Sequence, residues 1–169
     1  MKDAAVYVGS CLKYADGNLS GSWVQLNDFG SSEDFIKHCH NLHKDELFPE
    51  LDFQDWENIP CNLIGQHHIN PIYWEIMEHQ CIDHVAMFDY LDEMVGSLAK
   101  NETAHDLIQK MEDRCCGEWS SFSDFVQEQF ENLYDIPECL EAHIDWSSIE
   151  HEWSMDYTFT SNGYVFSQA

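Results

Sequence analysis

Lysine and arginine are nearly missing from this chain: seven of 169 residues, and none at all over residues 116–169. Against them stand thirty-two aspartates and glutamates, for a formal net charge of −25. A body with that field repels DNA, RNA and anionic membranes and is drawn to basic clefts, which sets direct nucleic-acid binding aside. No run approaches the eighteen or so apolar residues of a membrane span, and no N-terminal apolar stretch resembles a signal peptide. The seven cysteines, Cys11, Cys39, Cys61, Cys81, Cys115, Cys116 and Cys139, are odd in number and contain no Cys-x-x-Cys pair, so the chain reads as a cytoplasmic protein with free thiols. Gly-x-Ser-x-Gly, Gly-x-Gly-x-x-Gly and the phosphate-binding loop are absent, and so are His-Glu-x-x-His and EF-hand spacings. Nothing therefore marks a catalytic residue, a metal site or a cofactor.

What is present argues for a folded protein. Hydrophobic residues make up 44% and aromatics 14%, far from the aromatic-poor profile of disordered acidic chains. The negative charge is spread along the chain, with net values of −7 over residues 1–60, −7 over 61–115 and −11 over 116–169. A compact globule of this length has a diameter of roughly 40 Å, so −25 amounts to one charge per ~1.6 Å, against about 1.7 Å per charge along duplex DNA.

Ala5-Val6-Tyr7-Val8-Gly9 and Ser22-Trp23-Val24-Gln25-Leu26 predict an antiparallel strand pair across the turn residues Asp16-Gly17-Asn18. Ser31 and Asp34 form an N-cap signal that opens a helix with Phe35, Cys39 and Leu42 on its apolar face. Pro60 marks the edge of this first unit. Residues 71–98 carry a helical pattern, with Trp74, Met77 and Cys81 on one face and Val85, Phe88, Leu91 and Val95 on another. A second helix over 103–114 opens at Thr103 and Asp106.

The last third echoes the first: Gly117-Glu118-Trp119 follows Gly21-Ser22-Trp23, Ser121 with Asp124-Phe125 follows Ser31 with Asp34-Phe35, and Asp145-Trp146 follows Asp55-Trp56. An internal duplication and coincidence both account for so few matches. A closing hairpin is expected over 155–160 and 164–166, turned by Ser161-Asn162-Gly163. The fold class is thus α+β, elongated, with small mixed units at 1–60 and 112–169 around a helix-rich middle at 61–111.

The sharpest constellation is Asp124, Glu128, Glu131 and Asp135, whose first three members line one face of a helix over 123–134 while Val126, Phe130 and Leu133 face a core. Acids recur about every 5 Å along that axis, and like charges so spaced cost roughly 0.2–0.5 kcal/mol per pair. Glu138, Glu141, Asp145, Glu150, Glu152 and Asp156 continue the series with no base between them. An ordinary solvated face and halophilic adaptation are the bland readings. The run His38-Cys39-His40-Asn41-Leu42-His43 and the pair His67-His68 offer metal ligands, but on a helix only His40 and His43 share a face, and surface histidines explain them. Acid pairs such as Asp89 with Glu93, or Asp52 with Asp55, are expected by chance among thirty-two acids.

Three segments carry a family likeness. Ala5-Val6-Tyr7-Val8-Gly9, Leu19-Ser20-Gly21-Ser22-Trp23-Val24-Gln25-Leu26 and Phe53-Gln54-Asp55-Trp56-Glu57-Asn58-Ile59-Pro60 resemble the N-terminal signature of ArdA-type antirestriction proteins. Cys116-Gly117-Glu118-Trp119 with Phe125, Ile144-Asp145-Trp146 and Gly163-Tyr164-Val165-Phe166 resemble that family's C-terminal region. Ser10-Cys11, Cys116 and Glu150-His151 depart from the family's pattern, removing aromatic contacts and a base. The resemblance implies a protein of mobile genetic elements such as plasmids, elongated, of three small domains, acting as a homodimer. It also implies a DNA mimic that occupies the DNA-binding channel of type I restriction-modification enzymes, at the methyltransferase core, and blocks cleavage and modification without being an enzyme. Under that reading the phosphate-mimicking acids are Asp89, Asp92, Glu93, Glu118, Asp124, Glu128, Glu131, Asp135, Glu138, Glu141, Asp145, Glu150, Glu152 and Asp156. The alternatives are an acidic inhibitor or chaperone of another basic nucleic-acid-binding protein, and a carboxylate-metal hydrolase.

Overall fold

The computed structural model describes residues 3–168. Its first strand, β1 (Ala5–Ser10), is the middle of a three-stranded antiparallel sheet, between β2 (Ser22–Gln25) and β3 (Leu51–Glu57). Flanked on both edges, β1 buries Ala5, Val6 and Val8, and only Tyr7, on the face it shares with exposed Trp23 and Asp55, reaches halfway to solvent. The Tyr7 hydroxyl donates to the Leu19 carbonyl at 3.0 Å and accepts the Gly21 N–H at 3.1 Å, fastening the connection that precedes β2. Opposite β1, the register of β3 slips: Tyr7 pairs with Asp55 and Val8 with Phe53, leaving Gln54 as a bulge. The Gln54 side chain lies over Gly9, where a Cβ would meet its amide nitrogen at 2.6 Å.

The expected helix is α2 (Ser32–Leu42), the short α1 (Cys11–Ala15) coming before it, and Ser31 caps it by accepting the Asp34 N–H. Phe35 and Cys39 are buried against the sheet, with the Phe35 ring 5.9 Å from Phe53 and 5.8 Å from Trp74. Leu42, expected on the same face, is instead 37% exposed, because it is the last residue of the helix and lies beyond the edge of the packed surface.

After a two-residue pair, β4 (Ile64–Gly65) with β5 (His68–Ile69), the pattern over 71–98 resolves into two helices, α3 (Ile72–Glu78) and α4 (His84–Met94). Asp83 causes the break. Its side chain accepts the N–H groups of Val85 and Ala86, a cap geometry that requires extended backbone at Asp83, and Cys81 is left on the surface. Helix α5 (Ala104–Arg114) opens with a full capping box between Thr103 and Asp106. Pro60 is buried, and one apolar core takes in residues from Ala4 to Met111, passing through Phe53, Ile59, Leu63, Tyr73 and Met87.

The C-terminal part adds β6 (Cys115–Glu118), α6 (Phe122–Leu133), the single turn α7 (Glu138–Glu141), α8 (Trp146–Trp153), β7 (Tyr157–Phe159) and β8 (Tyr164–Ser167). Its sheet runs β6-β8-β7, all antiparallel. The closing hairpin forms as expected: Thr160 and Tyr164 bond across the turn Ser161-Asn162-Gly163, and Gly163 takes φ 93°, the left-handed value such a loop needs at its third position. Alternation along β8 sends Tyr164 and Phe166 into the main core and Val165 into a second, smaller one with Phe125 and Val126. The echo between first and last thirds holds for the Ser31 and Ser121 caps, but Asp55-Trp56 lies in strand β3 while Asp145-Trp146 begins helix α8. That third match is coincidence, since the two dipeptides have different backbone conformations.

Two stability consequences are measurable. Phe166, fully buried and 5.6 Å from the Tyr90 ring, should cost about 3–5 kcal/mol when replaced by alanine, read from chemical denaturation. The second concerns the Tyr164 hydroxyl, which donates to the Asp83 carboxylate. Burial works to raise the Asp83 carboxyl, but Tyr164 and the N–H groups of Ala86 and Val85 outweigh it and hold it below the ordinary value of 3.8. A lowered carboxyl stabilises the fold fully above pH 3.8 and progressively less as pH falls through the folded value. The wild-type urea midpoint should therefore fall more steeply below pH 4 than that of Asp83→Asn; parallel curves would count against the bond.

Candidate partner-binding surface

The acidic helix α6 owes its start to Ser121, whose hydroxyl accepts the Asp124 N–H at 3.1 Å. One side is buried through Phe125 and Val126, and Asp124, Glu128 and Glu131 stand on the other, exposed. Phe125 is the hub of the small core. Its ring makes edge contacts with Trp119, Trp153 and Tyr157 at 5.4, 6.0 and 5.1 Å. Leu133, expected in the core, is 66% exposed, since packing ends with Phe130, whose ring meets Trp146 at 5.6 Å. Asp135 lies past the C-cap Tyr134, so the acidic face continues there on non-helical chain.

Beyond α6, Glu138 and Glu141 are exposed on α7. Asp145 caps α8, accepting the N–H of Ser148 at 3.2 Å and its hydroxyl at 2.8 Å, and these bonds hold its carboxyl below the ordinary value. Glu150 is half-buried and accepts the Ser123 hydroxyl at 2.6 Å, joining α8 to α6. Glu118, Glu152 and Asp156 are exposed. Between the end of α6 and α8 lies an open hollow of about 760 Å³, lined by Glu131, Asp135 and Glu141 with Tyr134 and Trp146.

On α4 the three acids named from the sequence part company. Glu93 is exposed. Asp92 is also exposed and accepts the Cys61 N–H at 3.1 Å; desolvation by its surroundings and the neighbouring Asp89 push its carboxyl up. Asp89 is only 9% exposed and takes hydrogen bonds from Thr160 and Asn162, so it joins α4 to the turn of the C-terminal hairpin. Both oxygens of its carboxylate are therefore engaged inside the molecule. No sequence signal distinguishes Asp89 from Glu93, because the hairpin that covers it lies some seventy residues further on.

Among the described residues the ion pairs are Lys13 with Asp45 at 2.9 Å and Glu46 at 3.6 Å, and Lys110 with Glu102. None involves an acid beyond Arg114. The histidine run is dispersed around α2: His38 packs on the Phe29 ring at 5.1 Å, Cys39 is buried with its thiol pushed up to about 12 by desolvation, and His43 is buried beside Lys13. Among the described residues no helix is long and apolar enough to cross a membrane.

A family model described as antirestriction protein (ArdA) matches residues 6–166, from the second residue of β1 to the third of β8. The chain belongs to the ArdA family of antirestriction proteins. Membership accounts for the N-terminal and C-terminal likenesses at once, since the match runs through the segment between them as well. A search of curated proteins finds no match. Family membership associates this ArdA chain with restriction-modification enzymes, and a surface of carboxylates without ion pairs among the described residues is suited to a basic partner.

The acidic face of α6 has a cost that can be measured. Glu128 stands four residues after Asp124 and three before Glu131, making two like-charge pairs. Glu128→Gln should raise stability by about 0.2–0.5 kcal/mol per pair relieved at low ionic strength, with the gain disappearing in 1 M salt. A loss of stability at low salt would mean that Glu128 makes favourable contacts.

Proposed function

We propose that this ArdA-family chain is a non-enzymatic DNA mimic that occupies the DNA-binding channel of type I restriction-modification enzymes, preventing both cleavage and modification. The observation that carries the reading is the set of exposed carboxylates from Glu118 to Asp156, most of them on or capping β6, α6, α7 and α8, and free of ion pairs among the described residues. Carboxylates stand where DNA would present phosphates, and the Lys/Arg groove of the methyltransferase core supplies the counter-charge. Because no base edges are offered, recognition bypasses the sequence preference of the enzyme. Ten of the fourteen acids assigned from the sequence make no side-chain hydrogen bond among the described residues; Asp89 takes Thr160 and Asn162, Glu150 takes Ser123, Asp92 takes the Cys61 N–H and Asp145 takes Ser148.

The protein acts as a homodimer in the cytoplasm, encoded on mobile DNA that must survive entry into a restricting host. A pair of chains doubles the length of the charge track, and the free thiols suit a reducing compartment. Binding is distributed over many contacts. Single Asp→Asn or Glu→Gln changes on the surface should therefore alter inhibition little, at a few tenths of a kcal/mol per exposed charge.

The test is competition between the purified protein and duplex DNA for a type I methyltransferase. Affinity should fall steeply as salt rises, by the counter-ion release that governs DNA itself. Neutralising Asp124, Glu128, Glu131 and Asp135 together should weaken inhibition about tenfold. Unchanged inhibition by that variant removes α6 from the interface, and salt-independent competition overturns the mimicry.

A further inference from the structure

Away from the acidic surface, three side chains with metal-binding atoms converge. The thiol of Cys11, a carboxylate oxygen of Asp52 and a ring nitrogen of His67 all lie within 4.8 Å of one another. They come from separate elements: Cys11 opens α1, Asp52 pairs with Gly9 across β3 and β1, and His67 sits in the turn between β4 and β5. Backbone bonds hold these elements together, from Cys11 N–H to the Glu50 carbonyl at 2.9 Å and from Phe53 N–H to the Gln66 carbonyl at 2.7 Å.

The surroundings match those of a liganded site. His67 Nδ1 lies 3.1 Å from the Leu51 carbonyl oxygen. A carbonyl only accepts, so Nδ1 is the donor and Nε2 is the nitrogen left to bind a metal, the arrangement by which metal-bound histidines are oriented. Asp52 is 4% exposed and has no ion pair with lysine or arginine among the described residues. Its two oxygens accept one amide bond each, from Gln54 at 3.1 Å and Gln66 at 2.9 Å, which aim the carboxylate and leave lone pairs free. A carboxylate so buried is ordinarily paired with a cation or coordinated to a metal. Cys11 is half-buried and His67 exposed, so an ion can enter from solvent.

We propose that Cys11, Asp52 and His67 bind one divalent borderline-soft metal ion of the Zn²⁺ class, with water in the fourth position. Thiolate and imidazole together select such an ion over Mg²⁺ or Ca²⁺, which take oxygen ligands. Tetrahedral bonds of about 2.0–2.3 Å place donor atoms roughly 3.4–3.7 Å apart, so small rotamer adjustments of Cys11 and His67 close the site. On binding, the Cys11 S–H bond breaks, a sulfur–metal bond forms and the proton leaves to solvent. The two anionic ligands balance the charge of the ion. Bound metal ties the start of α1 to β3 and to the β4–β5 turn.

Cobalt(II) titration of the reduced, chelator-free full chain tests this independently of any restriction enzyme. The expected result is one equivalent bound with a thiolate-to-cobalt charge-transfer band and the visible bands of tetrahedral cobalt, displaced by Zn²⁺. Cys11→Ser should abolish the charge-transfer band, and His67→Gln, at an exposed position that leaves the fold intact by circular dichroism, should weaken binding at least tenfold. A variant with the exposed thiols Cys61, Cys81 and Cys139 all changed to serine should keep the signal. Absence of the band in the wild type, its persistence in Cys11→Ser, unchanged affinity in His67→Gln, or its loss in the triple variant each overturns the site.

Discussion

Strand β8 is the constraint on which the rest of the structure depends. Its alternation places Tyr164 and Phe166 on one side and Val165 on the other, so three consecutive residues wall two separate apolar cores. The hold on the larger core is reinforced by two aspartates, the N-cap of α4 and one within it. Asp83 takes the Tyr164 hydroxyl, and Asp89 takes Thr160 and Asn162 at the hairpin turn. A one-residue slip of β8 would exchange its faces, placing Val165 where Phe166 belongs, and would break these bonds at the same time. Asp83 and Asp89 are thus internal fasteners, while most of the acids beyond Arg114 look outward.

The outward acids repel one another without lysines or arginines to relieve them, and the C-terminal part counters this with aromatic packing. Trp119, Phe122, Trp153 and Tyr157 surround Phe125 in edge or tilted contacts. Such pairs contribute about 0.5–1.5 kcal/mol beyond the area they bury, against roughly 0.2–0.5 kcal/mol for each like-charge pair on α6. The comparison favours the aromatics. It explains how a cation-free segment holds its shape and why the segment is rich in rings as well as in acids.

Local signals in the sequence were largely sufficient for the elements. Valine-rich β1, the serine caps of α2 and α6, the capping box at Thr103 and the glycine turn of the last hairpin each act over a few residues, and each appears where its chemistry requires. What escaped is non-local. Asp83 interrupts the helical pattern over 71–98 through a cap that looks, in sequence, like one more acid. Asp89 and Glu93 are indistinguishable until the hairpin covers one of them. Leu133 has the spacing of a core residue but lies where packing has already ended. Cys11, Asp52 and His67 are brought together only by the sheet and the β4–β5 turn, and no spacing rule links them.

The position of β8 in the chain also bears on how the protein is made. The apolar core that includes Ala4 to Met111 is unfinished until Tyr164 and Phe166 arrive. At roughly 5–20 residues per second, the fifty-five residues from Met111 to Phe166 take several seconds to synthesise. Until then the apolar strip that Tyr164 and Phe166 cover has nothing to close it.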